Sequence, residues 1–347
     1  MMKKILITIR AFLYLIFAGT LIAGCSNEDK NDDIIKLHGS TMGTTYNIQF
    51  VNDVESINKI MLLHEIDDIL STIERLMSTW RSDSELSKIN KLPVNKWIKA
   101  SPDTLFVLEL ALSVSQKTKG AFDVTLAPLI ELWGFASYEM QTSIPNNESI
   151  KFALQTIGYE QLEIDRARGM IRKKMPVRID LSAIAKGYAV DKIYEHFNSK
   201  GIKSYLIEVG GEIRVKGKKS NKKYWKIAVE TPLPDKRTAF QVLNISNHAI
   251  ATSGDYRNYY EVNGKRYSHT IDPTTGYPVT HDLASVTVIA ESAAYADALA
   301  TALMVMGPNK GYKFCEKNNV SAYFINYKNE EYVSYYTNNI KKYLVKG

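Results

Sequence analysis

The sequence predicts an α+β fold: a mixed, largely antiparallel sheet packed with helices in one large domain. Three observations carry this. Between residues 204 and 289, short runs rich in β-branched and aromatic residues follow one another with turns between them and no helical spacing. Apolar residues at helical spacing are concentrated before residue 201 and again near 290–307. Neither GxGxxG opening a helix nor GxxxxGK[ST] occurs, so both common nucleotide signatures of doubly wound sheets are missing.

The first residues indicate the compartment. In MMKKILITIRAFLYLIFAGTLIAGCS, Lys3, Lys4 and Arg10 precede or interrupt an apolar run that ends in small residues, which reads as a secretory signal over residues 1–24. The ending Ile22-Ala23-Gly24-Cys25 resembles a bacterial lipobox, in which Cys25 is lipidated and becomes the new N-terminus. A plain membrane anchor, or a cleaved signal with an incidental Cys25, is the alternative. The expectation is an exported protein, lipid-anchored at Cys25 to a bacterial membrane and facing the periplasm. Residues 25–33, with SNEDKNDD, have nothing apolar to bury after the cysteine and read as a tether. The other cysteine is Cys315, so an acylated Cys25 leaves no internal disulfide.

Cleavage removes three basic residues and no acidic one, taking the formal charge from +7 to +4. That mild balance, with scattered lysines, argues against nucleic acid as a partner; VKGKKSNKK near 215–223 reads as a solvated hairpin tip. About 310 residues remain, from 34 to 347, without an internal repeat or a Pro/Ser-rich linker.

Within them, IIKLHGSTMGTTYNIQFV predicts strand and turn, and Ile57, Ile60, Ile66, Ile69, Ile73 and Leu76 predict a helix. Ser82 and Glu85 suggest a capping box for a short helix. SPDTLFVLELALSVSQKTKG predicts a longer one, with Pro near its start and Gly120 past its end. Residues 146–158 predict another, LEID and MIRKK a hairpin, VRIDL a strand, and SAIAKGYAVDKIYEHFNSKG a helix ending at Gly201. Then come SYLIEV, EIRVKG, WKIAVE, FQVLNIS, HAIATSG, RNYYEV, KRYSHTI and ASVTVIA as strands. A buried helix over AESAAYADALATALMVMG and a last strand pair, VSAYFINY and EEYVSYY, complete the pattern.

Several stretches look chemically loaded. Asp297 and Thr301 stand one turn apart in that apolar helix and so share a face. Such a carboxylate either caps or pairs with a neighbour, or joins the hydroxyl in a hard-metal site. RIDLSAIAKGYAVD puts Asp180 at a strand end and Lys186 in the first turns of a helix, where Ser182 to Ala185 suit an anion; a capped helix with a surface lysine is the bland reading. IEVGGEIRV places Glu212 after two glycines, at a ligand approach or an ordinary turn. SHTIDPTTGYP holds His269 and Asp272 around a turn, with His269 a general base or a structural histidine.

Together with GSTMGTTY (39–46), STWRSDSELSKIN (78–90), GAFDVTLAPLIELWGF (120–135) and ADALATALMVMG, these motifs resemble the FAD:protein FMN transferases, once described as thiamine-biosynthesis lipoproteins. They occur in the family's order and span the chain after the tether. The resemblance implies a single large domain of flavin-transferase type. It implies FAD contacts at Met42, Trp80, Ala121, Phe122, Asp123, Asp180, Lys186 and Ile271, and magnesium at Asp297, Thr301 and the backbone carbonyl of Ala183. Glu212, in the family's EVGGEIRVKG motif, joins the cofactor-binding set. The implied reaction moves FMN from FAD to a Thr/Ser hydroxyl of a partner protein with release of AMP. His269 is the expected base, and Asp272 orients it or the turn. The acceptor is expected to be a membrane or exported redox protein carrying a motif like Asp-x-x-Thr-Gly-Ala-Thr. An FAD pyrophosphatase yielding FMN and AMP, or a non-catalytic tethered flavin-binding protein, are the competing readings.

Overall fold

The computed structural model describes residues 34–345 except 53, 55, 56, 137–142, 220, 234, 235 and 257, so the signal, Cys25 and tether readings lie outside the described residues. The body opens with a hairpin of β1 (Ile34–Thr41) and β2 (Thr44–Val51), in register from Ile34↔Val51 to Thr41↔Thr44. Helix α1 (Lys59–Met77) buries Leu62, Ile66, Leu70, Ile73 and Met77 along one side, and the Asn58 side chain caps it by accepting from Ile60 N and Met61 N.

Helix α2 (Glu85–Asn90) starts differently from the expected Ser82 capping box. Ser84 is the cap, accepting from Ser87 N at 3.0 Å, because the Glu85 carboxylate turns outward to take Ser101 N at 2.8 Å. After β3 (Ile98–Lys99), Ser101 and Pro102 open α3 (Pro102–Lys117). A short α4 (Ala127–Leu132) lies inside the GAFDVTLAPLIELWGF stretch, and α5 (Asn147–Leu154) is capped by Asn146. Strands β4 (Leu162–Asp165) and β5 (Met170–Lys173) pair, with β3 on the other side of β5. VRIDL is not a strand; its one bridge among the described residues is the isolated parallel pair of Arg178 with Leu126. The Asn90 side chain takes both the N–H and the C=O of Ile179, and Asp180 N donates to Val124 O at 2.7 Å, so this backbone is satisfied outside any ladder.

Helix α6 (Ser182–Ser199) leads into β6 (Tyr205–Val209), β7 (Glu212–Lys216), β8 (Trp225–Glu230), β9 (Ala239–Ile245), β10 (Ala249–Gly254), β11 (Tyr259–Val262), β12 (Lys265–Ser268) and β13 (Leu283–Ala290). Helix α7 (Ala293–Lys317), β14 (Ser321–Lys328) and β15 (Glu331–Tyr336) follow.

Among the described residues, the frame is an eight-stranded sheet in the order β1-β2-β6-β7-β10-β13-β14-β15. Each of its pairings is antiparallel, which bears out the predicted α+β class. Helices α1, α3, α6 and α7 pack on one face against Ile48, Phe50, Ile207, Val286, Val288 and Phe324. The β8–β9 hairpin covers Ile250, Ile289, Tyr323 and Ile325 on the other face with Trp225, Ile227 and Leu243. Covered on both sides, β13 reads as the near-continuous apolar run LASVTVIA rather than as an alternation.

Helix α7 is broken at Gly307, whose φ of 72° and ψ of −178° are non-helical. Pro308 has no N–H for Met304 O, and His281 Nε2 donates to that carbonyl at 2.8 Å instead. A Cβ at Gly307 would meet the His281 ring at 2.6 Å, so the glycine and the histidine close the break together.

Candidate active site

The cavity forms where several chain ends meet on the helical side of the sheet: the start of α6, the β6–β7 turn, the end of β10, the middle of α7 and the segment after β12. It holds about 930 Å³, within the range of small-molecule pockets. Trp80, Ala121, Phe122, Asp123, Asp180, Ala183, Lys186, Glu212, His269, Ile271, Asp297 and Thr301 all line it. Sequence reasoning singled out residues spread over more than two hundred positions, and the fold brings twelve of them to one cavity.

At its floor, α6 and α7 touch. Gly187 permits this, since a Cβ there would lie 2.4 Å from Ala293 O. Gly187 N donates to Asp297 Oδ2 at 3.1 Å, which ties the first turns of α6 to the carboxylate on α7. Lys186 Nζ lies 3.1 Å from Glu212 Oε1 and 3.9 Å from Asp297 Oδ2. Burial alone depresses the Lys186 ammonium, yet the Asp297 and Glu212 carboxylates outweigh it and hold Lys186 above its ordinary value. Burial pushes Glu212 up to about 8 and also raises Asp297, against the opposing pull of Lys186. Two buried carboxylates thus face one ammonium, and Glu212 Oε2 has no hydrogen-bond partner.

With both carboxylates ionised this centre would be one positive charge short, and the raised Glu212 and Asp297 express that shortage. Asp297 and Thr301 offer a carboxylate and a hydroxyl to the cavity, and Ser253 Oγ lies 3.2 Å from Thr301 Oγ1. Among the described residues no group of three or more His, Cys, Asp or Glu has metal-holding geometry. The donor set is therefore one carboxylate with neutral oxygens, which fits a hard divalent cation rather than zinc or copper.

His269 lines the same cavity. Its backbone N–H and its Nδ1 both donate to Asn258 O, at 3.1 and 3.0 Å. This fixes the neutral tautomer with Nε2 as the free basic atom. Burial, together with the nearby Lys186 charge, keeps its pKa below the ordinary 6.5.

Other predicted residues hold the walls in shape. Asp123 accepts from Thr125 N, Thr125 Oγ1 and Tyr159 N, which binds the GAFD loop to the chain beyond α5. Asp180 Oδ1 accepts from Ser182 N at 2.7 Å and Leu181 O accepts from Ile184 N and Ala185 N, forming the turn that starts α6 at the cavity. Trp80, 59% exposed, stands at the rim.

Two predicted residues lie apart from the lining. Met42, at φ 48°, packs on the core and donates its N–H to Glu74 Oε1 at 2.7 Å. Asp272 serves its turn: Oδ1 accepts from Thr274 N at 2.8 Å and the backbone pairs with Tyr277 and Gly276, while Asn258, not Asp272, orients His269. Sequence reading missed Ser253 and Asn258. The signal available for Ser253 was the polar end, TSG, of the otherwise apolar strand HAIATSG.

Comparison with known proteins agrees with this geometry. The chain is 39% identical to the FAD:protein FMN transferase of Vibrio cholerae over 338 residues, covering 97% of this chain and 100% of that protein. It is 33% identical to the Escherichia coli protein of the same name over 341 residues, 95% and 96% of the two chains. The structure superposes on the flavin transferase ApbE from Vibrio cholerae with a TM-score of 0.83 at 39% identity, over 90% of this chain and 99% of that one. For the apo form of the Pseudomonas stutzeri flavinyl transferase ApbE, the TM-score is 0.82 at 35% identity, over 90% and 98%. The family model describing the ApbE family matches residues 42–324, and the chain belongs to that family.

Proposed function

We propose that the protein transfers the FMN moiety of FAD to a threonine or serine hydroxyl of a partner protein and releases AMP. The observation that carries this reading is the convergence in one cavity of a free imidazole nitrogen, a buried ammonium and an oxygen-donor pair: His269, Lys186, and Asp297 with Thr301. In the reaction, the acceptor oxygen forms a bond to the FMN-side phosphorus while the bond from that phosphorus to the bridging oxygen breaks. The electron pair leaves with AMP, and the hydroxyl proton passes to His269 Nε2. Lys186 faces the pyrophosphate, and Glu212 holds Lys186 in place. Trp80, Ala121, Phe122, Asp123, Asp180 and Ile271 shape the flavin nucleotide site; Met42 supports it from the neighbouring turn.

Asp297, Thr301 and the Ala183 carbonyl would hold a magnesium ion, and Ser253 stands beside them. Such an ion supplies charge neutralisation at the pyrophosphate and leaving-group oxygens. The acceptor in this reading carries an Asp-x-x-Thr-Gly-Ala-Thr-like segment on a membrane or exported redox protein, and the enzyme is itself lipid-anchored at Cys25 on the periplasmic side.

Mass spectrometry of such a peptide, or of a whole acceptor domain, after incubation with FAD and magnesium tests the reading. A gain of one FMN mass with AMP release, lost with chelator, is the expected result. AMP and free FMN without modification of either acceptor would replace transfer by hydrolysis. No turnover at all would leave a binding protein.

A further inference from the structure

The main sheet has two unlike ends. Ile34, where the body begins, pairs with Val51, and Val51 N donates to Ser204 O at 2.9 Å. Ser204 Oγ donates to Lys218 O, Lys216 pairs with Tyr205, and Gly217 N donates to Asn247 Oδ1 at 3.0 Å. The loop between β7 and β8 therefore lies beside the point where residues 25–33 join the body. The opposite ends of β1, β7 and β10 hold the Met42 turn, Glu212, and Ser253 with Gly254, which is the cavity end. Seven residue steps of β1 separate the two ends by about 23 Å at roughly 3.3 Å per residue.

Lys203, Lys216, Lys218, Lys219, Lys222 and Lys223 gather at the first end. Lys203, Lys218, Lys222 and Lys223 are exposed, and the other two are half-buried. Among the described residues, Lys216 meets the Asn198 side chain, Lys218 the Tyr224 ring and Lys219 the Trp225 ring, none of them an anion. Six ammonium groups in a mature chain of formal charge +4 are a local excess that repels itself unless an anionic surface faces it. None of the six is an arginine, the residue suited to gripping one phosphate or carboxylate with a rigid fork. Compact charges on flexible stems suit a fluid plane of headgroup phosphates instead.

We propose that this lysine-bearing end is the face the protein lays on an anionic lipid surface, with the cavity turned to the aqueous side. The orientation rests on the lysines, and the lipid anchor of the proposed function joins the body at the same end, where nine residues, at most roughly 30 Å when fully extended, hold the body at the bilayer. The competing occupant is the tether itself, whose SNEDKNDD carries four carboxylates and one lysine.

Lysine acetylation footprinting by mass spectrometry separates these. The mature full-length chain is reconstituted in vesicles of phosphatidylcholine alone or with about one third phosphatidylglycerol, and the labelling rates of Lys218, Lys219, Lys222 and Lys223 are compared with that of Lys91 at the cavity. The expected result is several-fold slower labelling of the four in anionic vesicles only, with Lys91 unchanged. The protection is expected to vanish in about 0.5 M salt, where the Debye length is only a few Å. It should also weaken at Lys218 and Lys219 in the Lys222→Glu, Lys223→Glu variant. Equal labelling in both vesicles overturns the proposal. Protection that is equal in both vesicles and in detergent, and lost with Asp32→Asn and Asp33→Asn, overturns it in favour of the tether. Failure to float with phosphatidylcholine vesicles sinks the lipid anchor alone, because protection by anionic vesicles is still read on the unanchored chain.

Discussion

His269 reaches the cavity as a neutral imidazole whose Nδ1–H is spent on Asn258 O, so only Nε2 can take a proton. Its pKa lies below 6.5 because burial disfavours the charged ring. A base with a lowered pKa is active above that pKa and lost as pH falls through it. The acid limb of kcat/KM against pH is therefore expected below 6.5, and His269→Gln should lower kcat about 10²- to 10⁴-fold and abolish that limb while FAD still binds. An unchanged limb in the variant would remove His269 from the proton transfer. At the cation site proposed above, a hydroxyl that ligates through its lone pair must send its hydrogen elsewhere, and Ser253 Oγ is in position to accept it from Thr301. Ser253→Ala is expected to weaken Mn²⁺ binding, read by electron paramagnetic resonance, about 10-fold or more, and Asp297→Asn to abolish it. Loss in neither variant would dismiss the metal site; loss in Asp297→Asn alone would dismiss only the role of Ser253. Asp297 and Thr301 were legible in the sequence because polar residues one turn apart stand out in an alanine-rich helix. Ser253 was not, because a serine in a strand is ordinary and its partner lies 48 residues away.

The elements that hold these residues are joined by one buried carboxylate. Asp191 on α6 accepts from Arg214 on β7, from Ser292 Oγ, and from Ala293 N and Ala294 N at the start of α7. It satisfies two orphan amides of α7, neutralises a half-buried guanidinium and sets the position of the helix that carries Asp297. Asp191→Ala leaves the half-buried Arg214 without its carboxylate and α7 without its cap, and a loss of about 2–4 kcal/mol is expected in urea unfolding. Gly187→Ala should cost about 1–3 kcal/mol by forcing α6 and α7 apart, and should weaken Mn²⁺ binding together with stability. Retained cation affinity in a destabilised Gly187→Ala would show that the helix contact does not govern the site. At this scale the sequence was informative where periodicity is long, as in α1, α3, α6 and the opening of α7. It was uninformative at α4, six residues long, and at VRIDL, where the Asn90 side chain replaces a neighbouring strand. Both depend on partners distant in sequence, which no local pattern encodes.

For the whole molecule, strand succession was enough to predict the antiparallel frame, whereas the grouping of lysines was hidden. VKGKKSNKK read as a hairpin tip, but β7 and β8 belong to different sheets, and the loop between them folds back beside Ser204 and the first strand. A hydrogen-bonded sheet of this kind is stiff along its strands, so its two ends keep a fixed separation. Taken with the lipid-facing orientation proposed above, the chemistry is carried at a nearly constant altitude over the bilayer. An acceptor threonine buried among headgroups lies below that altitude, and one on a tall extramembrane domain lies above it. Strand length, a property selected for packing, thus doubles as a filter on which hydroxyls the enzyme can meet.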